Sequence, residues 1–217
     1  MGMVITIDGP AASGKSSVSR ELARRLGWQW VSTGAFYRGL AFAALQLQID
    51  LDDVKSLTDL THNPVWSVRM EHDRTKVFFK DQDVTDLIAH EDVGNFASKV
   101  SHYPEVRKAL LEAQRNCSSG PQGLVAEGRD CGTVVFPQAE AKVYLTANSE
   151  HRAARRAAEL GLDQDDMVKA QQQRDHQDST RKVAPMTVPD DALVVDTTAL
   201  NLEQVVDKVV EYVKNKI

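Results

Sequence analysis

Residues 9–16 read Gly9-Pro10-Ala11-Ala12-Ser13-Gly14-Lys15-Ser16 and fill every fixed place of the pattern G-x-x-x-x-G-K-S/T. No other feature constrains the fold as much, because the pattern works only between a strand that leads in and a helix that leads out. Both flanks are present. Val4 to Ile7 is a short apolar run closed by Asp8-Gly9, which reads as a buried strand. Val18, Leu22, Ala23 and Leu26 recur at helical spacing, and Gly27 supplies the stop. In such a loop the glycines let backbone N–H groups turn toward phosphate oxygens, and the helix N-terminus adds positive partial charge. The whole stretch from Gly9 to Ser17 is therefore expected to hold a nucleoside triphosphate. Lys15 would bridge the outer phosphates and Ser16 would ligate Mg²⁺, with Asp8 or Glu127 acting through water.

The rest of the chain alternates strands and helices. Trp28 to Val31, Leu124 to Ala126, Lys142 to Leu145 and Leu193 to Val195 read as strands. Phe36–Leu47, Pro104 to about Arg115, Glu150–Leu160, Asp165–Asp175 and a final stripe from Leu202 to Val213 read as helices. The expected fold is α/β, a P-loop NTPase-type parallel sheet with helices on both faces. Between Val65 and Phe79 the period changes to two, with His72 to Lys76 between the halves, so a β-hairpin interrupts the alternation. The expected organisation is one kinase domain. Its core is 1–32, 103–150 and 168–217, its inserted nucleotide-binding subdomain is 33–102, and a short lid covers about 151–167.

A phosphate loop specifies the donor, not the job, and it serves kinases, ATPases and switches alike. A GTPase would carry Asn-Lys-x-Asp, whereas the Asn215-Lys216 pair runs straight into Ile217. The net charge of −5 excludes a strong global field for nucleic acid, although local basic clusters can still bind a small anion. Two cysteines, Cys117 and Cys131, do not make a disulfide framework and suggest a reducing cytosol. No apolar run approaches the roughly 20 residues of a membrane span, and the N-terminus lacks a signal-peptide pattern. A cytoplasmic monomer acting on small molecules, with neither nucleic acid nor membrane as partner, is expected.

Arginines mark the acceptor side. Ser32-Thr33-Gly34 is a polar turn at a strand's carboxyl end, the place where open α/β sheets bind ligands, and Arg38 follows about one helical turn later. Glu127-Gly128-Arg129-Asp130 follows another strand, with Glu127 facing the metal and Arg129 and Asp130 facing the crevice. Arg174, Asp178 and Arg181 are spaced to share one face of a helix. Arg152, Arg155 and Arg156 form a second cluster that could close over a transferring phosphoryl group, and Gly161 lies between the two clusters.

The segments ITIDGPAASGKSS, STGAFYR, NFASKVSHYPEVRKAL, EGRDCGTVVFP and RDHQDSTRKVAP, with the hairpin insertion and the terminal VVDTT, run nearly end to end. On them the sequence resembles the bacterial cytidylate kinase family, within the nucleoside monophosphate kinases. The resemblance implies ATP as phosphate donor with Mg²⁺, and CMP or dCMP as acceptor. It implies that Arg38 and Arg129 hold the acceptor phosphate. Thr33, Arg107, Asp130 and Arg181 would surround the cytosine, and Ser98, Arg174 and Asp178 would meet the ribose. The arginines near 152–156 would belong to the lid. Ala12, Ser13 and Ser17 stand where many relatives carry more glycine or a Gly-Thr pair, and Thr33 stands where serine is frequent. Cytosine offers an amine donor beside ring acceptors, so a carboxylate with an arginine complements its edge, whereas uracil would set a carbonyl against the carboxylate. The competing expectations are another small-molecule P-loop kinase (UMP, AMP, shikimate or a sugar acid as acceptor), a nucleotide switch without acceptor, and a pure binding protein.

Overall fold

Strands covered on both faces read as continuous apolar runs, and Val4–Asp8 (β1) is of that kind, with all five residues buried. The computed structural model describes residues 2–71, 74–161 and 163–217, without the side chains of 156, 158–160, 164, 166, 167 and 170. From β1 the chain passes through the phosphate loop into Lys15–Leu26 (α1), which Gly27 ends in the left-handed conformation at φ 67°. Gln29–Ser32 (β2) follows. The insertion then holds Gly34–Gln46 (α2), Val54–Leu60 (α3), Trp66–Met70 (β3), Thr75–Phe79 (β4), Gln82–Asp83 (β5) and Glu91–Val100 (α4). The core resumes with Pro104–Asn116 (α5), Leu124–Gly128 (β6), a π-helical turn at Cys131–Val135 and Ala141–Thr146 (β7). Ser149–Leu160 (α6), Gln164–Thr180 (α7), Leu193–Asp196 (β8) and Leu202–Lys214 (α8) complete the chain.

Among the described residues the core strands form one parallel sheet in the order β2-β6-β1-β7-β8. Side chains alternate across it. Ile5, Ile7, Val125, Val143 and Leu145 pack on α1 and α8 through Val18, Leu22, Val206 and Val209. Val4, Val31, Leu124 and Ala126 face α2, α5 and the insertion. Each fully buried Ile or Leu contributes about 1.5–3 kcal/mol relative to exposure. The register sets Asp8 beside Gly128 and Ser32 beside Glu127, so three strands end together at one rim, and the phosphate loop begins there.

The expected hairpin is present as β3 and β4, with residues 72 and 73 of its tip outside the described residues; β5 adds a short third strand. Two expectations are corrected. The helix expected at 165–175 extends as α7 from Gln164 to Thr180. Arg181 is not on the same helix as Arg174 and Asp178, because α7 stops one residue before it.

Candidate functional site

The loop takes its shape from positions where the backbone turns left-handed. Gly9 lies at φ 148°, and a Cβ there would come within 2.1 Å of the Leu145 carbonyl oxygen, so only glycine fits. Gly14 lies at φ 88°. Ala12 adopts φ 54°, which costs an L side chain energy that glycine would avoid. Lys15 is buried, and its Nζ donates to the Pro10 carbonyl. Burial and the neighbouring Arg129 push its pKa down to about 7, while Glu127, Asp175 and Asp8 offset only part of this. The burden on folding is fully present below pH 7 and is relieved as pH climbs toward the ordinary lysine value of 10.5. Lys15→Met is therefore expected to raise the thermal midpoint of the empty protein by about 2–4 °C at pH 6.5. The gain should shrink at pH 9, and a gain that grows with pH would contradict this electrostatic reading.

Ser16 Oγ donates to Glu127 Oε1 at 2.8 Å, and Glu127 Oε2 is buried with no hydrogen-bond partner among the described residues. A hydroxyl beside a carboxylate with an unused buried oxygen fits a hard cation whose remaining ligands are phosphate oxygens and water. Among the described residues no group of three or more His, Cys, Asp or Glu could hold a metal unaided, so the phosphates would have to complete the shell. Asp8 is buried. Its two oxygens accept from the Cys131 and Gly132 amides at 2.9 and 2.7 Å and hold the π-helical turn in place. Burial raises the Asp8 pKa to about 6, although those amides lower it in part.

A cleft of about 810 Å³ runs from Ala11–Ser17 to the insertion and α7. That volume suits a nucleotide-sized ligand. Thr33, Arg38, Ser98, Arg129, Asp130, Arg155, Arg174, Asp178 and Arg181 all line it. Arg38 donates to the carbonyls of Ile88 and His90 and rests on Gly94, where a Cβ would lie 2.7 Å from its Nη2. Arg129 Nε donates to Asp178 Oδ2 at 2.8 Å. Burial opposes ionisation of Asp178, yet Arg129 and Arg181 hold its carboxyl below the usual range. Arg174 pairs with Glu91 at 2.6 Å. Arg181 donates to Ser101 Oγ at 3.2 Å and to the Ala184 carbonyl at 2.9 Å. The Nε atoms of Arg174 and Arg181 are buried without a hydrogen-bond partner among the described residues. Such donors are costly unless something else accepts from them. Ser98 donates to Gln177, and Thr33 to the Glu127 carbonyl.

Arg107 stands behind this wall rather than in it. It is buried, paired with Asp130 and set 5.4 Å over the Tyr37 ring. Burial raises the Asp130 pKa, with Arg107 and Arg181 pulling the other way. On α6, Arg155 lines the cleft and donates to the Thr197 carbonyl at 2.8 Å. Arg152 does not line it; its guanidinium donates to the Ala11 and Ala147 carbonyls and pairs with Asp175. The side chain of Arg156 lies outside the described residues. Sequence reasoning missed Glu91, Gly94 and Asp175. Only Asp175 carried a signal, as the acidic neighbour of Arg174.

A family model described as cytidylate kinase matches residues 5–215. The chain is similar to a cytidylate kinase of Bdellovibrio bacteriovorus, 90% identical over 217 residues and covering 100% of both chains. It is 42% identical to a cytidylate kinase of Aeromonas hydrophila over 222 residues, covering 100% of this chain and 96% of that one. Among solved structures, a gluconokinase from Sinorhizobium meliloti superposes at TM-score 0.53 with 14% identity, covering 99% of this chain and 92% of that one. At such identity the likeness shows the fold alone.

Proposed function

The chain belongs to the cytidylate kinase family, and on that premise we propose that its cleft passes the γ-phosphoryl group of ATP to the phosphate of CMP, or of dCMP, through the residues described above. It is a phosphotransferase with a phosphate group as acceptor, and ATP is its donor. The observation that carries the assignment of roles is the convergence of Lys15, Arg38, Arg129, Arg174 and Arg181 on one cleft beside the phosphate loop.

In this reading the loop amides and Lys15 hold the β- and γ-phosphates. Ser16, with Glu127 acting through water, would hold Mg²⁺, which would supply charge neutralisation on the phosphate oxygens when bound. Arg38 and Arg129 hold the acceptor phosphate, and Arg155 approaches the transferring group from the lid. Ser98, Arg174 and Asp178 meet the ribose. Thr33, Asp130, Arg107 and Arg181 read the base. Asp130 is the group that can accept from the cytosine amine, with Arg107 fixing the carboxylate from behind. An acceptor oxygen attacks the γ-phosphorus in line, and the bond to the β-phosphate bridging oxygen breaks. A phosphate monoester is already largely ionised near neutral pH, its second pKa being about 6, so no strong base is required. Catalysis is positioning and charge neutralisation. Closure of the lid and insertion over the cleft would exclude water and protect ATP from hydrolysis. The proposal extends to a monomer working in the cytoplasm. A cleft built by one chain supports the first part, and two unpaired cysteines support the second.

The test is an ADP-release assay with ATP and Mg²⁺ across CMP, dCMP, UMP, AMP and shikimate. CMP and dCMP should be the preferred acceptors; preference for AMP or shikimate would overturn the reading. In the same assay Asp130→Asn should narrow the CMP-over-UMP ratio of kcat/KM. Removing one repulsive contact to uracil is worth about 1–3 kcal/mol, or about 5- to 150-fold. An unchanged ratio would remove Asp130 from base recognition.

A further inference from the structure

Asp175 contributes to the field at Lys15 and Arg129, but its hydrogen bonds go to Ala11 and Arg152, and it stands where three elements meet. Its Oδ1 accepts from the Ala11 amide at 3.1 Å. Its Oδ2 lies 2.6 Å from Arg152 Nη1, and that same nitrogen donates to the Ala11 carbonyl at 2.9 Å. One residue of the phosphate loop, Ala11, is thus gripped at both its N–H and its C=O, by α7 and α6 together. The next residue is Ala12, the left-handed non-glycine position at φ 54°. Strained backbone persists only where its surroundings over-determine it, and the two-sided grip on Ala11 supplies that constraint. Arg152 is buried, so its charge also needs the carboxylate.

We infer that Asp175, with Arg152, is a positioning residue for the donor: the pair clamps Ala11, keeps residues 11–13 in the phosphate-binding conformation and ties the lid helices to the loop. This deepens the proposed function and rests on it, because it presumes that ATP occupies the loop.

The neighbours of Asp175 on α7 make the claim separable from general damage. Arg174 and Asp178 line the acceptor end, so a distorted helix would weaken CMP as much as ATP. Asp175→Ala should raise KM for ATP about tenfold while KM for CMP stays within about twofold. Asp175→Asn keeps an acceptor for the Ala11 amide and should recover part of the loss. Arg152→Ala should give a similar ATP defect, and the double variant should be little worse than either single one. Equal losses for CMP and ATP, no change in either, or fully additive losses would each overturn the clamp. If Asp175→Ala does not fold, Asp175→Asn and Arg152→Lys carry the same comparison. Wild-type protein that fails to phosphorylate CMP would instead overturn the proposed function and leave a distinct signature.

Discussion

Lys15→Ala is expected to lower kcat by about 10³–10⁵-fold, the range seen when a cation is withdrawn from a transferring phosphoryl group. Lys15 begins α1, so its backbone position is fixed by the helix and by the glycines at 9 and 14. Its ammonium donates to Pro10 O, a neutral carbonyl, inside a buried site. A triphosphate offers far stronger acceptors at the same place, and the low dielectric that depresses the lysine pKa also magnifies its attraction to them. Burst-free steady-state kinetics at saturating ATP and CMP, with circular dichroism to confirm folding, check the result. Turnover close to wild type would place the phosphoryl chemistry elsewhere.

Arg129→Ala is expected to cost about 10²–10³-fold in kcat/KM for CMP, comparable to deleting one preorganised charge-stabilising donor. Gly128 at the end of β6 leaves room for Thr33 Oγ1 and Cys131 Sγ, which a Cβ there would meet at 2.4 and 2.7 Å, and Arg129 beside it enters the cleft against Asp178. The ion pair fixes the guanidinium before any acceptor arrives, so little ordering entropy remains to be lost on binding. Removing the arginine also leaves Asp178, buried, with Arg181 at 3.8 Å as a poorer partner. Arg129→Lys should recover only a small part of the loss, because a lysine keeps the charge but not the planar fork. The variant is compared with wild type by varying CMP at saturating ATP and then ATP at saturating CMP. A defect confined to ATP would contradict the assignment of Arg129 to the acceptor.

Much of this arrangement is legible in the amino-acid order because it is local. The apolar run before Gly9, the loop pattern and the stripe after it dictate β1, the loop and α1 in one stretch from Val4 to Leu26. The alternation at 65–79 dictates a hairpin because a period of two has no helical reading. What escaped is tertiary. Helix α4 has a glycine and an asparagine in its middle, and it forms because Val93, Ala97 and Val100 find α2 to pack on. The turn at Cys131–Val135 is held by Asp8, more than 120 residues earlier, which no local pattern announces. Arg152 and Arg155 lie within one helical turn and look alike in sequence. Only the packing of α6 against α7 turns the first under the loop and the second into the cleft. Arg181 lines the cleft although α7 ends before it, and its donors reach Ser101 and Ala184.

The fate of the γ-phosphoryl group tests the central claim most directly. ATP carrying a radioactive γ-phosphorus is incubated with the protein, Mg²⁺ and CMP, and the products are separated. The account predicts that the label appears in CDP, as its β-phosphate, in step with ADP formation, and that little is released as inorganic phosphate. Label that accumulates as inorganic phosphate, or stays in ATP however much CMP is added, would contradict it.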